Sequence, residues 1–140
     1  MANIDYSRLE VLGMGGWIWQ VHENQSYPGR LIIRLARVEI GSLSKCTLAE
    51  WNSLHDCICR YELLLGRLFA PDRFNYGQLG NGYSQLHVHA VPRYTSKRKW
   101  RDATFEDKRW GDNWSPTPPS PLNLEDTYEF ASWLRSEICE

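Results

Sequence analysis

The sequence predicts an α+β domain built on an antiparallel sheet, and three observations predict it. Two strand-like segments lie close together and are joined by a polar loop. A long apolar stripe at helical spacing then separates them from a second strand region. A shorter helical pattern closes the chain. At 140 residues the chain is the size of one domain, taken here as 1–140, and can bury roughly two thirds of the surface its unfolded form exposes.

Residues 16–21, Gly16-Trp17-Ile18-Trp19-Gln20-Val21, are rich in aromatic and β-branched side chains and read as a strand. The polar stretch 22–29 ends in the turn dipeptide Pro28-Gly29, and residues 30–35 resume as a second strand, so a hairpin is expected. Upstream, Gly13-Met14-Gly15-Gly16 reads as a flexible entry to the first strand, because it lacks the lysine and helix of a phosphate loop. Thr47-Leu48-Ala49-Glu50 has the form of a capping box. From there Leu48, Trp51, Leu54, Ile58, Tyr61, Leu65 and Leu68 recur at spacings of three and four, the stripe of a helix facing a core, and Pro71 ends it. His55 falls beside that stripe and reads as a partly buried structural histidine.

A third strand is expected near Phe74-Asn75-Tyr76, followed by a loop from Gly77 to Gly82 and then a clear strand from Ser84 to Tyr94. Residues 93–101 carry five cations and no acid. Lys97, Arg98, Lys99 and Arg101 form either a solvated charge run or an attractor for a polyphosphate tail. Residues 100–122, with three tryptophans and four prolines, read as loop, and Asn123 to Cys139 returns to a helical pattern.

Composition narrows the function classes. The chain is 42% hydrophobic and 24% charged, which argues against disorder, and its net charge of −1 excludes a general nucleic-acid or membrane binder. No apolar run approaches the roughly 20 residues of a membrane span. Residues 1–10 lack the basic start and apolar middle of a signal peptide, so a cytoplasmic location is expected. Cys57 and Cys59, at i and i+2 of a helix, point to different sides. Together with Cys46 and Cys139 they read as free thiols.

The chemistry concentrates in Gln85-Leu86-His87-Val88-His89-Ala90-Val91-Pro92-Arg93. Strand alternation puts Gln85, His87 and His89 on one face and Leu86, Val88 and Ala90 on the other, with the imidazoles roughly 7 Å apart. The apolar set belongs to a core, and the polar set needs a groove or a partner. Three readings follow. A His-x-His pair begins a metal site, with His22, His55 or a distant carboxylate as third ligand. The two imidazoles are otherwise satisfied by hydrogen bonds alone. In the third reading they perform phosphorus chemistry, for which a neutral imidazole is a competent nucleophile and a second one assists the leaving group.

This segment resembles the signature of the histidine triad family, His-φ-His-φ-His-φ-φ followed by Pro-Arg, where φ is apolar. The resemblance runs over roughly residues 15–115. It includes Tyr27-Pro28-Gly29-Arg30-Leu31-Ile32-Ile33, the long helix, Phe74-Asn75-Tyr76 and Leu79-Gly80-Asn81. Arg109-Trp110-Gly111-Asp112-Asn113-Trp114 is similar to bacterial diadenosine tetraphosphate hydrolase-like members of the family.

The resemblance implies the histidine triad fold, an antiparallel sheet with one long helix across it and a C-terminal helix. It also implies a homodimer and a nucleotide as small-molecule partner. The activity implied is hydrolysis or nucleotidyl transfer on dinucleoside polyphosphates or related conjugates. His87 matches the attacking histidine and His89 the one at the leaving group. Gln85 stands where the family has its first histidine, and Arg30 where a histidine often follows Pro-Gly. Asn75, Asn81, Asn24 and Arg93 match nucleotide-contacting positions, and Ile18 or Ile32 is expected to line the base pocket. No cofactor or protein-bound metal is implied, although magnesium carried by the substrate is compatible with the reaction. The alternatives are a nucleotide-binding sensor or adaptor whose turnover is weakened by Gln85, and a His-x-His metalloenzyme.

Overall fold

Trp17–Val21 and Leu31–Leu35 pair antiparallel with Trp17 opposite Leu35 and Val21 opposite Leu31, the hairpin expected from the Pro-Gly turn. The computed structural model describes residues 3–38, 40–82 and 84–138. Its strands are β1 (Glu10–Met14), β2 (Trp17–Val21), β3 (Leu31–Leu35), β4 (Arg73–Gly77), β5 (His87–Arg93), β6 (Arg98–Trp100) and β7 (Ala103–Phe105). Its helices are α1 (Leu48–Leu68) and α2 (Leu124–Ile138). The main sheet runs β1-β2-β3-β5-β4 with antiparallel neighbours throughout, and β6 and β7 form a separate hairpin.

One face of the sheet is the core. Trp17, Trp19 and Val21 of β2, Leu31, Ile33 and Leu35 of β3, and Leu86, Val88 and Ala90 at β5 are all buried there. Helix α1 contributes Leu54, Cys57, Tyr61, Leu64 and Leu65 to the same core. Trp17 Nε1 donates to the Glu50 carbonyl at 2.9 Å and the Tyr61 hydroxyl to the Gly29 carbonyl at 2.7 Å, so these two polar atoms carried into the interface are satisfied. Gly29 has φ +95°, and a Cβ there would come within 2.2 Å of Leu65, which explains glycine at the hairpin turn. The capping box at Thr47 and Glu50 forms as expected.

Four sequence expectations change. The Gly13–Gly16 stretch is no flexible entry: β1 ends at Met14, and Gly15 and Gly16, both at positive φ, make a two-residue turn into β2. In α1 the buried stripe begins at Leu54, while Leu48 and Trp51 are 76% and 44% exposed, outside the area the sheet covers. Spacing identifies a stripe but not where its partner surface ends. His55 is exposed on the helix rather than partly buried. The 100–122 segment contains β7 and the end of β6, strands too short to show a period. In the basic run Lys97, Lys99 and Arg101 are exposed, Arg98 donates to the carbonyls of Phe69 and Ala70, and Arg101 pairs with Glu129 at 2.9 Å.

Helix α2 follows residue 123 as expected; Cys139 lies outside the described residues. Phe130 and Trp133 meet Trp100 and Phe69 in an aromatic cluster beside the main core. Cys46, Cys57 and Cys59 are free thiols. No helix among the described residues is long and apolar enough to cross a membrane.

Candidate active site

The other face of the sheet carries the polar residues. Alternation puts Gln20 and His22 of the β2 segment, Ile32 and Arg34 of β3, and His87 and His89 of β5 on it. Pairing then makes Arg34 the cross-strand neighbour of His87, Ile32 that of His89, and Gln20 that of Ile32. A cleft of about 490 Å³ opens over these strands, lined by Tyr6, Gln20, His22, Glu23, Ile32, Arg34 and His87. His89 borders it, with its ring centroid 5.2 Å from that of His87 and 6.1 Å from that of His22.

The histidine tautomers follow from their partners. His87 is 6% exposed, and its Nδ1 lies 2.8 Å from the main-chain oxygen of Gln85. A carbonyl only accepts, so Nδ1 carries the proton and the ring's lone pair sits on Nε2. His22 is the reverse: its Nδ1 accepts from the Asn24 amide at 3.0 Å, so a neutral His22 has its proton on Nε2. Burial pushes the His22 pKa down to about 3, reinforced by the buried Arg30 and opposed by the Asn24 contact. His89 falls to about 4, first through burial, then through Arg30, His87 and His22. Its Nδ1 is buried with no hydrogen-bond partner among the described residues. A charged His89 would have to donate from that nitrogen with nothing to accept.

Gln85 precedes β5 instead of lying within it. Its Nε2 donates to the Leu35 carbonyl at 2.6 Å, so its side chain ties the strand entry to β3 while its main chain orients His87. Asn75 and Arg93 lie elsewhere. Arg93 is buried and donates to both oxygens of Asp107, to Asn75 Oδ1 and to the carbonyls of Arg109 and Asp112. Asn75 and Arg93 line a second cleft of about 340 Å³ with Arg73, Trp110, Gly111 and Asp112. Asn24 donates to the Pro118 carbonyl and accepts from the Ser26 amide, a turn-holding role. Asn81 is exposed in its loop.

Of the expected pocket residues, Ile32 lines the main cleft. Tyr6, Gln20, Glu23 and Arg34 join it without having been marked in the sequence as site residues, and His22, marked there only as a candidate metal ligand, joins it too. The available signal was the alternation of Gln20 and His22 along β2. Trp114 also reaches the site, with its ring centroid 6.3 Å from that of His89. It packs over Gly77, where a Cβ would come within 2.7 Å of it. Among the described residues, no three His, Cys, Asp or Glu side chains are grouped to hold a metal ion.

Solved structures share this architecture. A histidine triad protein from Sinorhizobium meliloti superposes with a TM-score of 0.72 at 20% identity, over 98% of this chain and 96% of that one. One from Marinobacter aquaeolei gives 0.73 at 19% identity, over 96% and 94%. The chain has the histidine triad fold. A diadenosine triphosphate hydrolase from Plasmodium falciparum shares it, with a TM-score of 0.67 at 15% identity over 99% of this chain and 81% of that one. No family model and no curated protein matches the sequence. Within the histidine triad fold, His87 and His89 stand two residues apart on one strand, His87 lining the cleft and His89 beside it.

Proposed function

We propose that the chain is a histidine triad nucleotide hydrolase or nucleotidyl transferase, acting on dinucleoside polyphosphates or related nucleoside phosphate conjugates. The observation that carries this reading is the hydrogen bond from His87 Nδ1 to the Gln85 carbonyl. It aims a nucleophilic Nε2 from a nearly buried ring, and it stabilises the positive charge that develops on that ring once Nε2 bonds to phosphorus.

In the proposed first step the His87 Nε2–P bond forms and the bond from phosphorus to the leaving group breaks. The leaving group departs with the electron pair and takes a proton from water, or from His89 once His89 has gained one from solvent in the bound complex. Water then attacks the same phosphorus and gives its proton to His89 or to solvent, the P–N bond breaks with its electron pair returning to Nε2, and His87 is again neutral. His89 is neutral before substrate arrives, and a bound phosphate's negative charge opposes the effects that keep it so. Its proton affinity therefore rises when a leaving group needs one. The Gln85 hydrogen bond to Leu35 supports the enzyme over the sensor, because it gives the glutamine side chain a structural task. A homodimer, a cytoplasmic location and magnesium carried only by the substrate belong to the same proposal.

The test is rapid quenching with a labelled adenosine phosphoramidate and a panel of dinucleotides, followed by mapping of any adduct. A nucleotidyl group on His87 that forms and decays at the turnover rate is the expected result. Absence of both adduct and turnover across the panel would overturn the reading.

A further inference from the structure

A nearly buried amide donor, turned by its neighbours, lines the cleft next to the apolar surface of Ile32. Gln20 is 8% exposed, and its Oε1 accepts from Arg34 Nε at 3.3 Å. Arg34 Nη2 is in turn held by Glu10 Oε1. An oxygen turned toward Arg34 leaves the amide NH2 as the end of Gln20 that can meet a ligand. The hydrogen bonds of the described residues do not engage this NH2. Glu23, also in the lining, follows His22, and its carboxylate lies 3.8 Å from the His22 ring nitrogen.

A fixed donor matches an acceptor at the 6-position of a purine. Guanine and hypoxanthine present O6 there, whereas adenine presents the N6 amino donor. Adenine would therefore set donor against donor and leave the nearly buried Gln20 amide unpaired, which a site of this kind rejects. Arg34 is also the cross-strand neighbour of His87, so the anchor of the Gln20 amide and the proposed nucleophile share one rigid patch of sheet. We propose that Gln20, oriented by Arg34, selects a 6-oxopurine base, so that the preferred substrates are guanosine or inosine phosphate conjugates. This rests on the nucleotide reading above.

The experiment compares kcat/KM for guanosine, inosine and adenosine 5′-phosphoramidates bearing the same leaving amine. Guanosine and inosine are expected to exceed adenosine by roughly tenfold or more, as an unpaired, nearly buried amide implies. Gln20→Leu removes the donor at similar volume, and Gln20→Glu replaces it with an acceptor. Both are expected to shift the guanosine-to-adenosine ratio toward one, while inosine continues to track guanosine. Wild-type turnover that is equal for the three bases, or that favours adenosine, would overturn base selection and leave the nucleotide reading standing. A wild-type preference unaltered in folded Gln20→Leu and Gln20→Glu would overturn the assignment to Gln20. No turnover and no binding with any base would overturn the nucleotide reading and this proposal with it.

Discussion

His87 Nδ1 lies 2.8 Å from the carbonyl oxygen of Gln85, two residues earlier in the chain. The proposed nucleophile is thus oriented by the main chain of the residue whose side chain departs from the family signature. Any side chain at position 85 leaves that carbonyl in place, provided the strand entry keeps its path. The hydrogen bond from Gln85 Nε2 to Leu35 helps hold that path.

For the two histidines the roles are separable. His87→Ala is expected to abolish the covalent adduct and with it turnover. His89→Ala is expected to slow the first step by about 10²–10⁴, the usual worth of acid–base assistance, with the adduct still detectable. Single-turnover kinetics on a verified substrate measure both. Near-native turnover by His87→Ala would place the nucleophile elsewhere.

Gln85→His is expected to alter turnover by no more than about tenfold, or about 1.4 kcal/mol of barrier. The orienting carbonyl is retained, while losing the Leu35 contact costs about 0.5–1.5 kcal/mol of stability. Turnover, nucleotide affinity and urea unfolding of the two proteins measure this. A hundredfold gain in rate at unchanged affinity would favour the sensor over the enzyme.

Arg93 and Asp107 are paired at 2.7 Å with side chains 3% and 0% exposed. Arg93→Met leaves the Asp107 carboxylate buried without its main partner, so a loss of about 3–5 kcal/mol is expected. The same change frees the carbonyls of Arg109 and Asp112, which precede Trp114, so KM is expected to rise in protein that remains folded. Urea denaturation and steady-state kinetics report the two effects. A loss below about 1 kcal/mol would show that this pair does not hold the segment.

Stability should depend on pH through His22 and His89. Their folded pKa values, about 3 and about 4, lie below the ordinary 6.5, so below pH 6.5 the unfolded chain binds more protons than the folded one. Their contribution is therefore complete above pH 6.5 and is lost as pH falls toward 4 and then 3. Between about pH 6.5 and 5.5, where few carboxylates titrate, the urea midpoint is expected to fall with pH. His22→Asn is expected to flatten that slope, and an equal slope in both proteins would count against a buried neutral His22.

Much of the fold was legible in the sequence because its signals are local. The capping box at Thr47, the Pro28-Gly29 turn and the alternation around His87 each depend on residues within one turn or one strand. What lay beyond those signals was pairing and coverage. Gln20 and Arg34 become a site only because register sets Arg34 beside His87 and Gln20 beside Ile32. Asn24 and Asn75 were plausible by motif, yet the structure turns one to Pro118 and the other to Arg93.

By itself, the sequence determined the α+β class, the long capped helix, and a strand with two imidazoles on one face and a core on the other. Tertiary structure decided which polar residues share the cleft, that His22 and His89 are held neutral, and that Trp114 closes over Gly77. The physical reason is the range of the interactions. Helix caps, turns and strand alternation are set by backbone geometry over a few residues. A depressed pKa or a shared cleft is set by burial and neighbouring charge, brought together by strand register and by a loop returning from some 25 residues away along the chain.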